Sequence, residues 1–223
     1  SALAVGDSFA GEFFLALSSD NLYGNRAYFY SVRVNCFDIN QNQKKHFKEF
    51  IQFNREKISV VFIDANYRKT TCDDGHKVSS SIAGLDFALE ILEYNNIPVI
   101  ISEPRPFFLG PIDFNFIDNI VAKTNLKTAV EITKEVGEKA YFSRDKNQIY
   151  RSKVNNLLRS NNFLFPFSNT ICQEKLETCN ILNVDGTKLI FDYGHLTPSG
   201  KKKLETDIFN YISKINLKMF NSP

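Results

Sequence analysis

The chain has 223 residues, 43% hydrophobic and 23% charged, enough to fill one sizeable core and too apolar for wholesale disorder. Its 27 Lys and Arg against 25 Asp and Glu leave a net charge of +2, too little to indicate a nucleic-acid partner. No apolar run approaches the ~18 residues of a membrane span.

The sequence opens on Ser1-Ala2-Leu3-Ala4-Val5 with neither an initiator methionine nor a secretory signal. It reads as a strand already under way over Leu3–Val5, so the expectation is a piece of a longer protein whose targeting or membrane segment lies upstream. Phe9–Leu17 reads as a helix. Ala27–Val34, rich in aromatic and β-branched residues, reads as a second strand, and Lys44–Phe53 as an amphipathic helix with Phe47, Phe50 and Ile51 on one face. Ser59–Ile63 is an uninterrupted apolar run, as in a parallel strand buried on both faces.

A helix is predicted over Ser81–Asn95, a strand over Pro98–Ile101, and a stop at Glu103-Pro104-Arg105-Pro106. Residues 107–125 show least regularity and read as a loop near the site. Leu126–Ala140 and Gln148–Arg159 read as helices, Phe163–Phe165 as a strand, and Leu189–Phe191 as a short apolar run before a loop. A closing helix over Thr197–Ile215 has Thr197 or Ser199 as its cap and Pro198 in its first turn. The triplet Lys201–Lys203 reads as a solvated helix start rather than a phosphate-binding patch. Strands alternating with helices predict a single three-layer α/β/α sandwich over 1–223, flavodoxin-like, with a mainly parallel sheet. Reactive residues should then follow strand ends.

Gly6-Asp7-Ser8-Phe9 is in such a place. A serine between a strand and a helix has an exposed hydroxyl and a helix end that favours developing negative charge; the alternative is that Asp7 or Ser8 merely caps the helix. Asp192-Tyr193-Gly194-His195 also follows an apolar run and precedes a helix. Serine is a weak nucleophile until a base takes its proton, and that base needs an acceptor on its other nitrogen. Asp192 can supply the acceptor to His195 across a tight turn at Gly194. Of the other histidines, His46 falls in a Lys-rich amphipathic helix and reads as a surface residue, and His76 lies in the polar loop Cys72–Lys77 with no strand end before it. Asn66, just after the most apolar strand, can donate to an oxyanion or simply make a turn.

Cys36, Cys72, Cys172 and Cys179 form no CxxC pair and accompany no histidine cluster, so no metal site and no cofactor is expected. Their even number fits two disulfides in an oxidising compartment, the alternative being four reduced thiols. Cys172 and Cys179 bracket a short polar loop that reads as stapled, and the expected pairs are Cys172–Cys179 and Cys36–Cys72.

Gly6-Asp7-Ser8 near the start, a strand-end Asn66, and Asp192-x-x-His195 near the end resemble the ordered blocks of the SGNH (GDSL-like) hydrolase superfamily over residues 4–200. The stretch from Cys172 to Gly200 looks more narrowly like the end of SGNH domains fused behind acyltransferase-3 membrane domains, which O-acylate surface polysaccharides outside the cytoplasm. The resemblance implies Ser8 as nucleophile, His195 as base and Asp192 as its orienter, with Asn66 in the oxyanion hole. Where the superfamily carries a glycine N–H, Val34-Asn35-Cys36 has none, and Asn35 would donate instead. Tyr67 follows Asn66 where many such hydrolases carry Asp, which favours transfer over simple esterase chemistry.

The implied protein is a membrane-tethered, extracytoplasmic O-acyltransferase, most simply an O-acetyltransferase. It would take its acyl group from a membrane domain of the same protein and pass it to a carbohydrate. Tyr67, Arg68 and Tyr193 flank the implied catalytic loops as acceptor contacts, or pack as ordinary loop residues. The rival readings are a carbohydrate esterase or deacetylase with the same three residues, and an inactive glycan-binding domain.

Overall fold

The computed structural model describes residues 1–64, 71–72, 75–80, 82–106, 108, 114–146, 148–173, 177–183, 185–190, 192 and 194–215. Five parallel strands form the central sheet: β1 (Ala2–Gly6), β2 (Ala27–Ser31), β3 (Val60–Asp64), β4 (Val99–Ser102) and β5 (Asn162–Phe165), in the order β2-β1-β3-β4-β5. Helices α1 (Ser8–Leu17), α2 (Gln41–Asn54) and α3 (Leu85–Tyr94) connect the first four strands in turn, and α4 (Phe114–Lys123), α5 (Leu126–Lys146) and α6 (Gln148–Leu157) link β4 to β5. A short helix α7 (Ser168–Ile171) and the hairpin β6 (Cys172–Gln173) and β7 (Thr178–Cys179) precede the closing helix α8 (Pro198–Lys214). Among the described residues no helix is long and apolar enough to cross a membrane.

Strand alternation builds the layers. Ala2, Ala4, Val60, Phe62 and Ile100 face one side, where they pack with Phe13 and Leu17 of α1, Ile117 of α4 and Leu204 and Ile208 of α8. Leu3, Val5, Val61, Ile63, Val99 and Ile101 face the other, with Phe47 and Ile51 of α2 and Leu85, Leu89 and Leu92 of α3. Because successive side chains of a strand point to opposite faces, a strand covered on both sides must be apolar over the covered stretch, as β1 is and as β3 and β4 are up to their last residues, Asp64 and Ser102. The chain passes from β1 to β2 on one side and then to β3 on the other. With right-handed crossovers this puts α1 and α2 on opposite faces and makes the carboxyl end of β1 the point where the strand order reverses, the usual ligand crevice of such sheets.

Several boundaries differ from the sequence reading, each for a local reason. Strand β2 stops at Ser31 rather than Val34: its neighbour β1 ends at Gly6, whose carbonyl takes the last bond from the Val32 N–H at 2.8 Å. The chain then enters a 3₁₀ turn, Val34–Asp38. Helix α3 starts at Leu85 rather than Ser81, after a turn that rests on that 3₁₀ segment so closely that a Cβ on Gly84 would lie 1.9 Å from the Val34 carbonyl oxygen. Helix α2 begins earlier, at Gln41, because the Asn40 side chain accepts the Gln43 N–H. The stretch 107–125, expected as a loop, contains α4, anchored by the fully buried Ile117. Of the two candidate caps for α8, Thr197 is the one used: its hydroxyl accepts the Gly200 N–H at 3.2 Å.

Both expected disulfides are present. Cys172–Cys179 joins partners that face each other across the β6–β7 hairpin, and Cys36–Cys72 ties the 3₁₀ turn after β2 to the chain beyond β3. On loop length alone, with separations of 7 and 36 residues, the first should stabilise by roughly 2–3 kcal/mol and the second by about 4 kcal/mol. A Cys36→Ser/Cys72→Ser variant should therefore lose more stability in denaturant melts than Cys172→Ser/Cys179→Ser, and non-reducing peptide maps should recover both pairs. Equal losses would point to structure in the unfolded chain rather than to loop closure.

Candidate active site

Strand β1 ends where only glycine fits. Gly6 has φ +149°, and a Cβ there would lie 1.8 Å from the Asp64 carbonyl oxygen of β3. The chain turns sharply, and Asp7 caps α1 by accepting the Phe9 N–H at 3.1 Å. Asp7 thus performs the capping that the sequence left open between Asp7 and Ser8. Ser8, the first residue of α1, is left exposed.

The histidine arrives from the far end of the chain. The Leu189 N–H donates to Ile181 and the Thr197 N–H to Leu189, while Ile190 bridges Leu196, and the turn so closed carries Asp192 and His195. Within it one carboxylate does three jobs. Asp192 Oδ1 accepts the N–H groups of Gly194 and His195, both at 2.8 Å, and Oδ2 lies 2.7 Å from His195 Nδ1. An acceptor-only carboxylate against Nδ1 requires the proton there, which makes Nε2 the accepting nitrogen. Nε2 is 3.1 Å from Ser8 Oγ. The Phe9 ring lies beneath the imidazole, centroids 4.7 Å apart. Asp192, His195 and Ser8 therefore form a continuous hydrogen-bonded chain with the geometry to withdraw a proton from a serine hydroxyl.

Under this chain lies a cluster of three buried charges. Arg105, 2% exposed just beyond β4, donates to Asp64 Oδ2 through Nε at 2.9 Å and again through Nη2, to the Phe9 carbonyl at 2.9 Å, and to Glu12 Oε2. Its guanidinium stacks between the rings of Phe9 and Phe167, 4.5 and 4.0 Å from their centroids. The other Glu12 oxygen accepts the Leu196 N–H at 2.7 Å. Burial pushes the Asp64 carboxyl up to about 7 against the pull of Arg105, with Asp7 and Glu12 adding repulsion. Asp64 Oδ1 is buried without a hydrogen-bond partner among the described residues.

The sequence reading missed this cluster, taking Arg105 as part of a strand stop. The readable signal was Glu12, a lone acid on the face of α1 that carries Phe9, Phe13 and Ala16. A carboxylate on a buried helix face requires a cation.

Of the remaining expected residues, Asn35 is buried in the 3₁₀ turn after β2, at the same carboxyl edge of the sheet as Ser8. Asn66, Tyr67, Arg68 and Tyr193 lie outside the described residues. His46 is exposed, as expected, and so is His76.

The family model described as SGNH domain (fused to AT3 domains) matches residues 1–208. Among solved structures, the chain is similar to a candidate acylhydrolase from Bacteroides fragilis NCTC 9343, with a TM-score of 0.52 and 16% identity over 96% of this chain and 86% of that one. At that identity the likeness concerns the fold. No curated protein matches the chain.

Proposed function

We propose that this chain, which belongs to the family of SGNH domains fused to AT3 domains, is the part of an extracytoplasmic O-acyltransferase that places an acyl group, most simply acetyl, on a carbohydrate hydroxyl. The observation that carries the reading is the hydrogen-bonded chain Asp192–His195–Ser8 at the reversal point of the sheet. Ser8 Oγ attacks the acyl carbonyl while His195 Nε2 takes its proton. The resulting oxyanion collapses, the bond to the leaving group breaks, and His195 returns the proton to that group. A sugar hydroxyl then attacks the acyl-Ser8 ester, loses its proton to His195, and regenerates the Ser8 hydroxyl. Asp192 keeps the imidazole oriented and stabilises its cationic form.

The oxyanion is assigned to the N–H of Asn35 and the side chain of Asn66, and the acceptor sugar to Tyr67, Arg68 and Tyr193. The fusion named by the family supports a membrane acyltransferase domain as donor. Two disulfides support an oxidising compartment.

Purified protein given an activated acetyl ester and a panel of surface polysaccharides tests the proposal. Expected are slow hydrolysis, an acetylated Ser8 in the mass spectrum, and transfer to at least one glycan, because holding an acceptor close is what lets it compete with water. Fast hydrolysis with no acetylated glycan would turn the reading into an esterase. No label at Ser8 would leave only a binding role.

A further inference from the structure

We propose that Glu12 is a positioning residue whose carboxylate clasps helix α1 to the histidine loop and so holds His195 Nε2 against Ser8. The inference rests on the functional reading above. Glu12 stands one helical turn beyond Ser8, so the two share a face of α1. It is 4% exposed, and its two oxygens serve different chain segments: Oε2 takes Arg105 and Oε1 takes the N–H of Leu196, the residue directly after His195. Arg105 is itself fixed by Asp64 at the end of β3 and by the Phe9 carbonyl, next to Ser8. One carboxylate thus joins the helix bearing the nucleophile, the loop bearing the base and the strand ends beneath both.

An apolar side chain would fill this helix face at lower desolvation cost. What an apolar residue could not supply is an acceptor for the Leu196 N–H. The histidine loop keeps other supports, namely the Asp192 turn, the Ile190–Leu196 bridge and the Thr197 cap. Loss of the clasp should therefore leave the fold and misplace the imidazole. A displacement of about 1 Å at a reacting group can lower turnover about 100-fold.

Glu12→Gln tests the clasp, because a carboxamide offers one acceptor oxygen where the carboxylate uses two. On an activated aryl acetate kcat should fall about 10–100-fold with KM changed less than about threefold. Hydrogen-exchange protection of the Leu196 amide should fall at least about tenfold. A purely structural role would lower kcat only in proportion to the folded fraction, so kcat per folded molecule, with that fraction read from a denaturant melt, would stay native. Should the Gln variant not fold, Glu12→Asp keeps the charge beside Arg105, is one methylene too short to span both partners, and carries the same expectations. Native kcat in either folded variant, or undiminished protection of the Leu196 amide, would overturn the proposal. Ser8→Ala is the control: if it still turns over, the functional reading fails, and the amide exchange alone decides the clasp.

Discussion

Alanine at Ser8 or His195 is expected to lower turnover of an activated acetyl ester about 10⁴-fold or more, and at Asp192 somewhat less, while thermal unfolding stays close to wild type. The asymmetry follows from the hydrogen bonds. On the proposed function Ser8 supplies the attacking oxygen, and His195 Nε2 lies against it at 3.1 Å. Asp192 acts through the imidazole at 2.7 Å and through the two backbone N–H groups that shape its loop. Because the three act as a unit, Ser8→Ala combined with His195→Ala should be hardly slower than either alone. Multiplicative losses in the double variant, or near-native rates in His195→Ala, would remove the histidine from the reaction. The fold survives these changes because Ser8 is exposed and the side chains of His195 and Asp192 are partly so.

The opposite behaviour is expected of Arg105. Arg105→Met should destabilise by about 3–5 kcal/mol, since it strands two buried carboxylates that it now neutralises. At this chain length that is about 10 °C in Tm. The size of the loss should depend on pH, and the sign is determined by Asp64. Its carboxyl already titrates up at about 7 in the native fold because burial outweighs Arg105; without the guanidinium it rises further, while in the unfolded chain it returns to about 4. A group raised on folding contributes stability that is complete below its unfolded value and is lost as pH climbs through its folded value. The variant's deficit should therefore be smaller at pH 5 than at pH 8 in parallel denaturant melts. A deficit unchanged between pH 5 and pH 8 would mean that the buried carboxyls stay charged in the variant.

These two outcomes separate what the sequence made legible from what it did not. The meeting of Ser8, Asp192 and His195 could be read because each sat beside a local signal: Gly6 and a helix start for Ser8, an Asp-x-Gly-His sequence before a capped helix for Asp192 and His195. Strands β1, β3 and β4 could be read because burial on both faces leaves no polar position ahead of the last residues of β3 and β4, Asp64 and Ser102. The Glu12–Arg105–Asp64 cluster could not be read as a unit. Its members are separated by 41 and 93 residues, and nothing local to Arg105 says which carboxylates it will meet. Helix α4 was hidden for a different reason: it follows a stretch with prolines and a glycine, which masks the period on which the buried Ile117 falls. The early end of β2 was set by its neighbour, since a strand outlives its own β-propensity only as long as a partner offers carbonyls.

The partners Ser8 and His195 stand 187 residues apart, on elements that open and close the sequence, and α8 packs directly on α1. Synthesis from the N-terminus at about 5–20 residues per second therefore leaves the serine waiting about 10–40 s for its base. Throughout that time the nascent chain carries an ordinary, unreactive hydroxyl. On the proposed function that hydroxyl gains its base only when the loop bearing His195 has been made and folds against α1, so a molecule truncated before His195 should be silent toward any ester it meets.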